Sequence, residues 1–147
     1  MNTPKLQPFY NTTYKDWGLI VCDDWAFANA NGGISTVPAG YWYNAGSIPA
    51  LFWQLTYSPY HPILLAATLA HDWAYFSHCM SKDDADDTLY ALLAAMKASS
   101  FKSGAIKKAV QVFGNSFYER DSVDFLYLSI LRSQITESGR SLAKYGL

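Results

Sequence analysis

The chain has 147 residues, which suits one domain built around a single core. Half of its residues are hydrophobic and 16% are charged, a globular composition that excludes intrinsic disorder. The formal net charge is −1, so no excess charge attracts the chain to nucleic acid or to an anionic membrane. We therefore expect no nucleic-acid partner.

The sequence predicts neither a secretory leader nor a membrane-spanning segment. Residues 1–14 hold one lysine and no apolar core, unlike a signal peptide. The longest apolar stretch, Ile63–Ala70, is too short to cross a bilayer. The two cysteines, Cys22 and Cys79, form no metal-binding or multi-disulfide pattern. We expect buried free thiols in a reducing cytoplasm, with a bridge between the two as the alternative.

The residues after the N-terminal segment have the composition of short strands. Trp17–Ala28 mixes β-branched and aromatic residues and predicts one strand. Asn29–Gly33 predicts a turn, because Asn and Gly tolerate a positive φ. Ile34–Val37 returns as a second strand, so the two form a hairpin, and Tyr41–Tyr43 is a third short extended run.

From Ile48 onwards the pattern is helical. Pro49 opens a short predicted helical turn that runs to Leu55. Longer helices are predicted at Ile63–Cys79, from a Ser81 cap to about Ser99, at about Ala105–Tyr118 after a break at Ser103-Gly104, and from Asp121 or Ser122 to Arg132 or beyond. Strands followed by helices predict the α+β class, with a small antiparallel sheet and then three to four helices. We expect a single domain over residues 1–147 with a polar tail.

One constellation of residues has the chemistry of a catalytic site. At about 100° per residue, His71, Tyr75 and His78 share a face of the first long helix, and Asp72 lies beside His71. The connection to the next helix is short, so the two helices should form an antiparallel hairpin that brings Asp86 or Asp87 near His71. A histidine oriented by an aspartate is a general base that can activate water. Asp72 could bind a hard cation or orient a substrate.

A structural interpretation of these residues stays open. His71 and Asp72 could be a buried polar pair that clips the helices to the sheet. Asp83 and Asp84 lie in a first helical turn, where acidic residues favour the helix dipole and face water. With only three histidines and no ligand pattern, the chain predicts no zinc site.

The loop around Ser47 is a second candidate site. A glycine next to a serine, at a transition from strand to helix, can expose a hydroxyl or backbone N–H groups. The alternative is that Gly46 supplies an unusual φ and that Ser47 caps the turn begun by Pro49.

Four motifs resemble, in order and spacing, a phage and prophage domain of unknown function, DUF1353. They are Val37–Tyr41, Ala45–Pro49, His71–Tyr75, and Ala85-Asp86 followed by Leu89. The resemblance covers about Trp17 to Gly114, which leaves the last helix and the tail, 121–147, outside it. It selects Asp86 over Asp87 as the partner of His71.

Two positions depart from the family pattern. Asn44 stands where the family usually has Asp before the Ser-Ile-Pro, which weakens any role that needs a carboxylate there. Leu89 replaces the usual aromatic residue, a change that we expect to affect packing only.

The family resemblance implies a phage origin. Such domains are met in phage genomes, often near tail or other virion genes. It therefore implies a virion-associated, tail-region protein whose partners are other virion proteins. Its location would be the virion, or the cytoplasm of the infected bacterium during assembly.

The His-Asp-x-x-Tyr helix is also similar to that of secreted and parvoviral phospholipase A(2). His71, Asp72, Tyr75 and Asp86 match that arrangement, in which the histidine activates water, the first aspartate binds calcium and the second orients the histidine. The glycine-rich calcium loop and the disulfides of those enzymes are missing. This similarity implies a small metal-assisted hydrolase that acts on lipid or peptidoglycan during transient contact with the host envelope. A third alternative is an accessory protein that binds a host factor.

Overall fold

The computed structural model describes residues 2–45, 57–58, 60–118 and 121–147. Its strands are β1 Leu6–Asn11, β2 Asp16–Val21, β3 Trp25–Ala28, β4 Ile34–Val37 and β5 Trp42–Tyr43. Its helices are α1 Pro62–Ser77, α2 Lys82–Ala95, α3 Ser100–Phe113, α4 Asn115–Tyr118 and α5 Asp121–Glu137, followed by a 3-10 helix at Leu142–Tyr145. Strands come first and helices follow, which confirms the predicted α+β class.

The strands form two antiparallel sheets. One has the order β1-β2-β5, and the other is the β3–β4 hairpin, in which Trp25 pairs with Val37. The hairpin was predicted, but the single strand over Trp17–Ala28 is wrong. The chain breaks between β2 and β3 because the Asp24 carboxylate accepts the Ala39 N–H at 2.9 Å and holds a turn there. Strand β1 was not predicted at all.

The predicted Ser81 cap of α2 is confirmed, since the Ser81 hydroxyl accepts the Asp84 N–H at 3.1 Å. Helix α1 is capped by His61, which the sequence did not predict, and has Pro62 in its first turn. The helix α1 ends at Ser77 because His78 adopts a left-handed conformation with φ 52°. The predicted helical turn from Pro49 to Leu55 lies outside the described residues.

The predicted break at Ser103-Gly104 is wrong. Helix α2 ends at Ala95, earlier than expected, and α3 begins at Ser100, where Ser99 caps it by accepting the Lys102 N–H at 3.2 Å. Gly104 therefore lies inside a helix. A glycine there costs about 1 kcal/mol relative to alanine, which a capped helix buried through Ile106 can tolerate.

Helix α1 forms the centre of the core, and Trp73 is fully buried in it. The C-terminal tail closes over this core and is not simply polar, since Tyr145 is buried and donates its hydroxyl proton to Asp24 at 2.9 Å. Both cysteines are free, but Cys22 is exposed, contrary to the expectation of two buried thiols. It follows Val21 at the end of β2, where the chain turns away from the core.

Candidate functional site

The α1–α2 hairpin brings His71 and Asp86 together, as the helical spacing predicts. The two side chains meet at 2.8 Å, between His71 Nε2 and Asp86 Oδ1. Asp86 is buried, with 2% of its surface exposed, whereas the His71 side chain remains 15% exposed. The pair, called the dyad below, therefore has a buried carboxylate and an imidazole that reaches the surface.

Two further donors converge on the Asp86 carboxylate. The Tyr75 hydroxyl donates to Oδ1 at 2.6 Å, and the Lys82 ammonium donates to Oδ2 at 2.6 Å. Burial opposes the ionisation of Asp86, but the hydrogen bonds from His71, Lys82 and Tyr75 outweigh it and lower the pKa of this carboxyl. Asp86 is therefore an ionised, fully engaged acceptor.

This ionisation assigns the proton on His71. A carboxylate can only accept, so the imidazole carries a hydrogen on Nε2, and in the neutral ring Nδ1 then has the lone pair. No hydrogen bond from the described residues occupies Nδ1. The Tyr75 ring lies against the imidazole, with ring centroids 4.1 Å apart. Burial and the bond to Asp86 raise the pKa of Tyr75, so its hydroxyl stays a donor. The contacts with Asp86 and Tyr75 therefore fix the orientation of the His71 imidazole.

Asp72 belongs to a different set of contacts. Its Oδ2 accepts the hydroxyl proton of Tyr41 at 2.6 Å, which joins α1 to the segment before β5. Burial, and then the Asp72 charge, raise the pKa of Tyr43. This contact matches the predicted clip between the helix and the strands, but Asp72 forms it with Tyr41 and not with His71. Across the described residues, no three His, Cys, Asp or Glu side chains are grouped to hold a metal ion.

The remaining predicted residues lie apart from the dyad or outside the described residues. His78 is beyond the end of α1, where its Nε2 donates to the Tyr118 carbonyl at 2.8 Å and its ring stacks on Tyr118. It follows the last residue of α1, and the Tyr118 ring on which it stacks also contacts the Tyr75 ring. Asp83 is exposed, as its place in a first turn predicts. Asn44 is exposed after β5, and Ser47 lies outside the described residues.

Sequence reasoning missed two residues of this region, Lys82 and Tyr41. A signal for Lys82 was present, because residues four apart share a helix face and Lys82 precedes Asp86 by that interval. Tyr41 closes the Val37–Tyr41 motif, but nothing local identified its partner Asp72, which is 31 residues away in the chain.

Residues 19–110 match a family model described as "Protein of unknown function (DUF1353)". The match spans more than half of the chain, which therefore belongs to the DUF1353 family, as the motifs predicted. No curated protein and no solved structure matches the chain. The similarity to phospholipase A(2) is not shown by these comparisons. The matched region runs from β2 into α3 and contains the whole dyad.

No helix within the described residues is long and apolar enough to cross a membrane.

Proposed function

We propose, for this member of the DUF1353 family, that the dyad makes the protein a small hydrolase in which His71 is the general base. One observation carries the proposal: His71 Nε2 donates to an ionised, buried carboxylate, while no hydrogen bond from the described residues occupies Nδ1 on a side chain that reaches the surface. A base held in one tautomer by a carboxylate is the arrangement that activates water or a hydroxyl in many hydrolases.

The chemistry is the hydrolysis of an ester. Nδ1 takes a proton from water as the water oxygen bonds to the carbonyl carbon, and the carbonyl π electrons move to its oxygen. When the tetrahedral species collapses, the bond to the leaving alcohol breaks and the imidazolium returns the proton to that oxygen. Asp86 stabilises the imidazolium between these steps. The lipids of a bacterial envelope are the proposed substrate, with peptidoglycan as the alternative.

Calcium has no step in this mechanism. Calcium takes six to eight oxygen ligands, whereas the proposed reaction uses no oxygen of Asp72, whose Oδ2 accepts the Tyr41 hydroxyl proton. Asp72 is instead proposed to hold α1 against the strands and so to fix the position of the neighbouring His71.

The test is the release of labelled fatty acid from phospholipid vesicles, with and without added calcium. We expect the protein to release the label, and His71→Ala to reduce the rate by about a hundredfold or more, the usual contribution of a general base. His78→Ala is the matched control, because this histidine lies outside the dyad, and we expect it to keep the wild-type rate once circular dichroism shows that it folds.

Three outcomes contradict the proposal. The first is equal rates for the wild-type protein and a folded His71→Ala variant, and the second is loss of activity in His78→Ala alone. The third is that neither lipid esters nor labelled peptidoglycan are cleaved by the wild-type protein. In that case, the dyad is a structural clip between α1 and α2.

The second candidate function is that of a structural protein of the phage particle, and a pair of exposed aromatic side chains supports it. Tyr10 and Trp17 lie opposite each other on β1 and β2, with ring centroids 5.6 Å apart, and Trp17 is 62% exposed. Exposed Tyr and Trp side chains are enriched at protein–protein interfaces. The proposal is that this aromatic pair contacts another virion protein. Mass spectrometry of purified particles tests it, since a structural virion protein must be present in them at stoichiometric amounts.

A further inference from the structure

Lys82 lies beside the dyad, and the proposed reaction does not use it. Its ammonium lies 2.6 Å from Asp86 Oδ2 and 3.4 Å from the Val110 carbonyl of α3. Only 15% of its side chain is exposed. A lysine in the first turn of a helix usually extends into water, because the positive end of the helix dipole disfavours it there. The inward position of Lys82 therefore indicates a specific interaction.

The donors divide between the two oxygens of Asp86. His71 and Tyr75 both donate to Oδ1, whereas Lys82 is the one donor to Oδ2 among the described residues. Without the ammonium, Oδ2 would be a buried anionic oxygen with no donor among the described residues. Such an oxygen is costly, and a carboxyl group relieves the cost by taking a proton or by rotating toward water. Either change would weaken Oδ1 as an acceptor for His71.

We infer that Lys82 is a positioning residue of the dyad. It keeps Asp86 ionised and holds Oδ1 toward α1, and through Asp86 it keeps His71 in the Nε2–H tautomer. Lys82 acts on the tautomer of the base and does not touch the reacting atoms. The catalytic consequence rests on the proposed hydrolase function, but the effect on the tautomer can be measured without any substrate.

The experiment is nuclear magnetic resonance of ¹⁵N-labelled protein, in which the imidazole nitrogen shifts and their two-bond couplings report the tautomer. The His71 signals are assigned by their loss in His71→Ala. We expect a single Nε2–H tautomer in the wild-type protein and a mixture of tautomers with faster N–H exchange in Lys82→Met. Lys82→Arg should restore the single tautomer, because it returns a cation to Oδ2.

Lys107→Met is the matched control. Lys107 forms an ion pair with Asp87 at 2.8 Å, on the residue next to Asp86, but that pair is largely exposed. Removing this charge should leave the His71 tautomer unchanged. An unaltered single tautomer in Lys82→Met overturns the inference, and so does an equal effect of Lys107→Met.

Three further experiments keep the test decisive. If Lys82→Met does not fold, Lys82→Gln removes the charge and keeps a donor, and it should also mix the tautomers. In the wild-type protein itself, the Lys82 ammonium protons should exchange slowly with water, and fast exchange overturns the inference. In the vesicle assay, Lys82→Met should lower kcat by about tenfold to a hundredfold with KM unchanged. A wild-type protein without hydrolysis defeats the proposed function and leaves the tautomer result to decide the role of Lys82.

Discussion

Replacement of Asp86 by alanine tests how strongly the dyad holds the two helices together. The substitution removes three hydrogen bonds at once, from His71, Tyr75 and Lys82. It also leaves the Lys82 ammonium without its counter-ion in a largely buried position. Removing one partner of a buried ion pair costs about 3–5 kcal/mol. Because the lysine can extend toward water in the variant, we expect the free energy of unfolding to fall by about 3 kcal/mol, the lower end of this range.

The neighbouring aspartate supplies the control. Asp87 pairs with Lys107 at the surface, where the side chains are 54% and 32% exposed. Such exposed pairs contribute about 0–1 kcal/mol, so Asp87→Ala should change the free energy of unfolding very little. The two variants remove the same chemical group from adjacent positions of α2. Their difference therefore measures the effect of the buried surroundings of Asp86.

Urea unfolding followed by tryptophan fluorescence is the assay, since the fully buried Trp73 reports loss of the core. With a slope of about 1.5–2 kcal/mol per M urea, the Asp86→Ala midpoint should fall by about 1.5–2 M. Asp86→Asn separates charge from volume, and it too should lower the midpoint because its amide presents a dipole where Lys82 needs a charge. Equal midpoints for the Asp86 and Asp87 variants, or a wild-type midpoint for Asp86→Asn, would refute the reasoning.

Two other predictions concern stability. Gly114→Ala should lower the free energy of unfolding by about 2 kcal/mol, because the added methyl group would lie 2.5 Å from the Tyr75 hydroxyl. Gly104→Ala should instead stabilise α3 by about 1 kcal/mol, because no atom lies within 4 Å of the added methyl group. Urea unfolding measures both changes. Asp24 has a pKa lowered from 3.8 to about 2, since hydrogen bonds, the strongest from Lys144, outweigh the opposing effect of burial. The ionised carboxylate therefore stabilises the fold above its unfolded-state pKa of 3.8, and this contribution is lost as the pH falls through about 2. Discounted for solvent screening, it is about 1 kcal/mol. Wild-type protein and Asp24→Asn should differ by this amount at pH 6 and converge near pH 2; a difference that stays constant would contradict the assignment.

The helical hairpin was predictable because its signals are local. Ser81 caps α2 within three residues, and the short connection after α1 leaves little choice but an antiparallel return. Given that arrangement, helical spacing alone places His71 and Tyr75 on the face that meets α2. The family pattern then selected Asp86 from the adjacent pair of aspartates, and it is Asp86 Oδ1 that lies 2.8 Å from His71 Nε2.

The features that were missed depend on distant contacts. The turn at Asp24 is held by Lys144 and Tyr145, more than a hundred residues along the chain, so no local pattern shows that the predicted strand must break there. The same two bonds also hold the C-terminal tail against Asp24. The sequence predicts a break at Ser103-Gly104 because glycine disfavours helices, but a Ser99 cap and the packing of α3 outweigh that preference.

A structural clip and the proposed general base make different demands on His71. Lys82 and Tyr75 already give each oxygen of Asp86 a donor. His71 adds a third donor, on Oδ1, and its bond helps to keep the buried carboxylate ionised. What the bond does achieve is to orient the imidazole and to place its hydrogen on Nε2. A clip does not require this orientation and the proposed general base does, so the proposed function predicts that substituting His71 affects hydrolysis far more than stability.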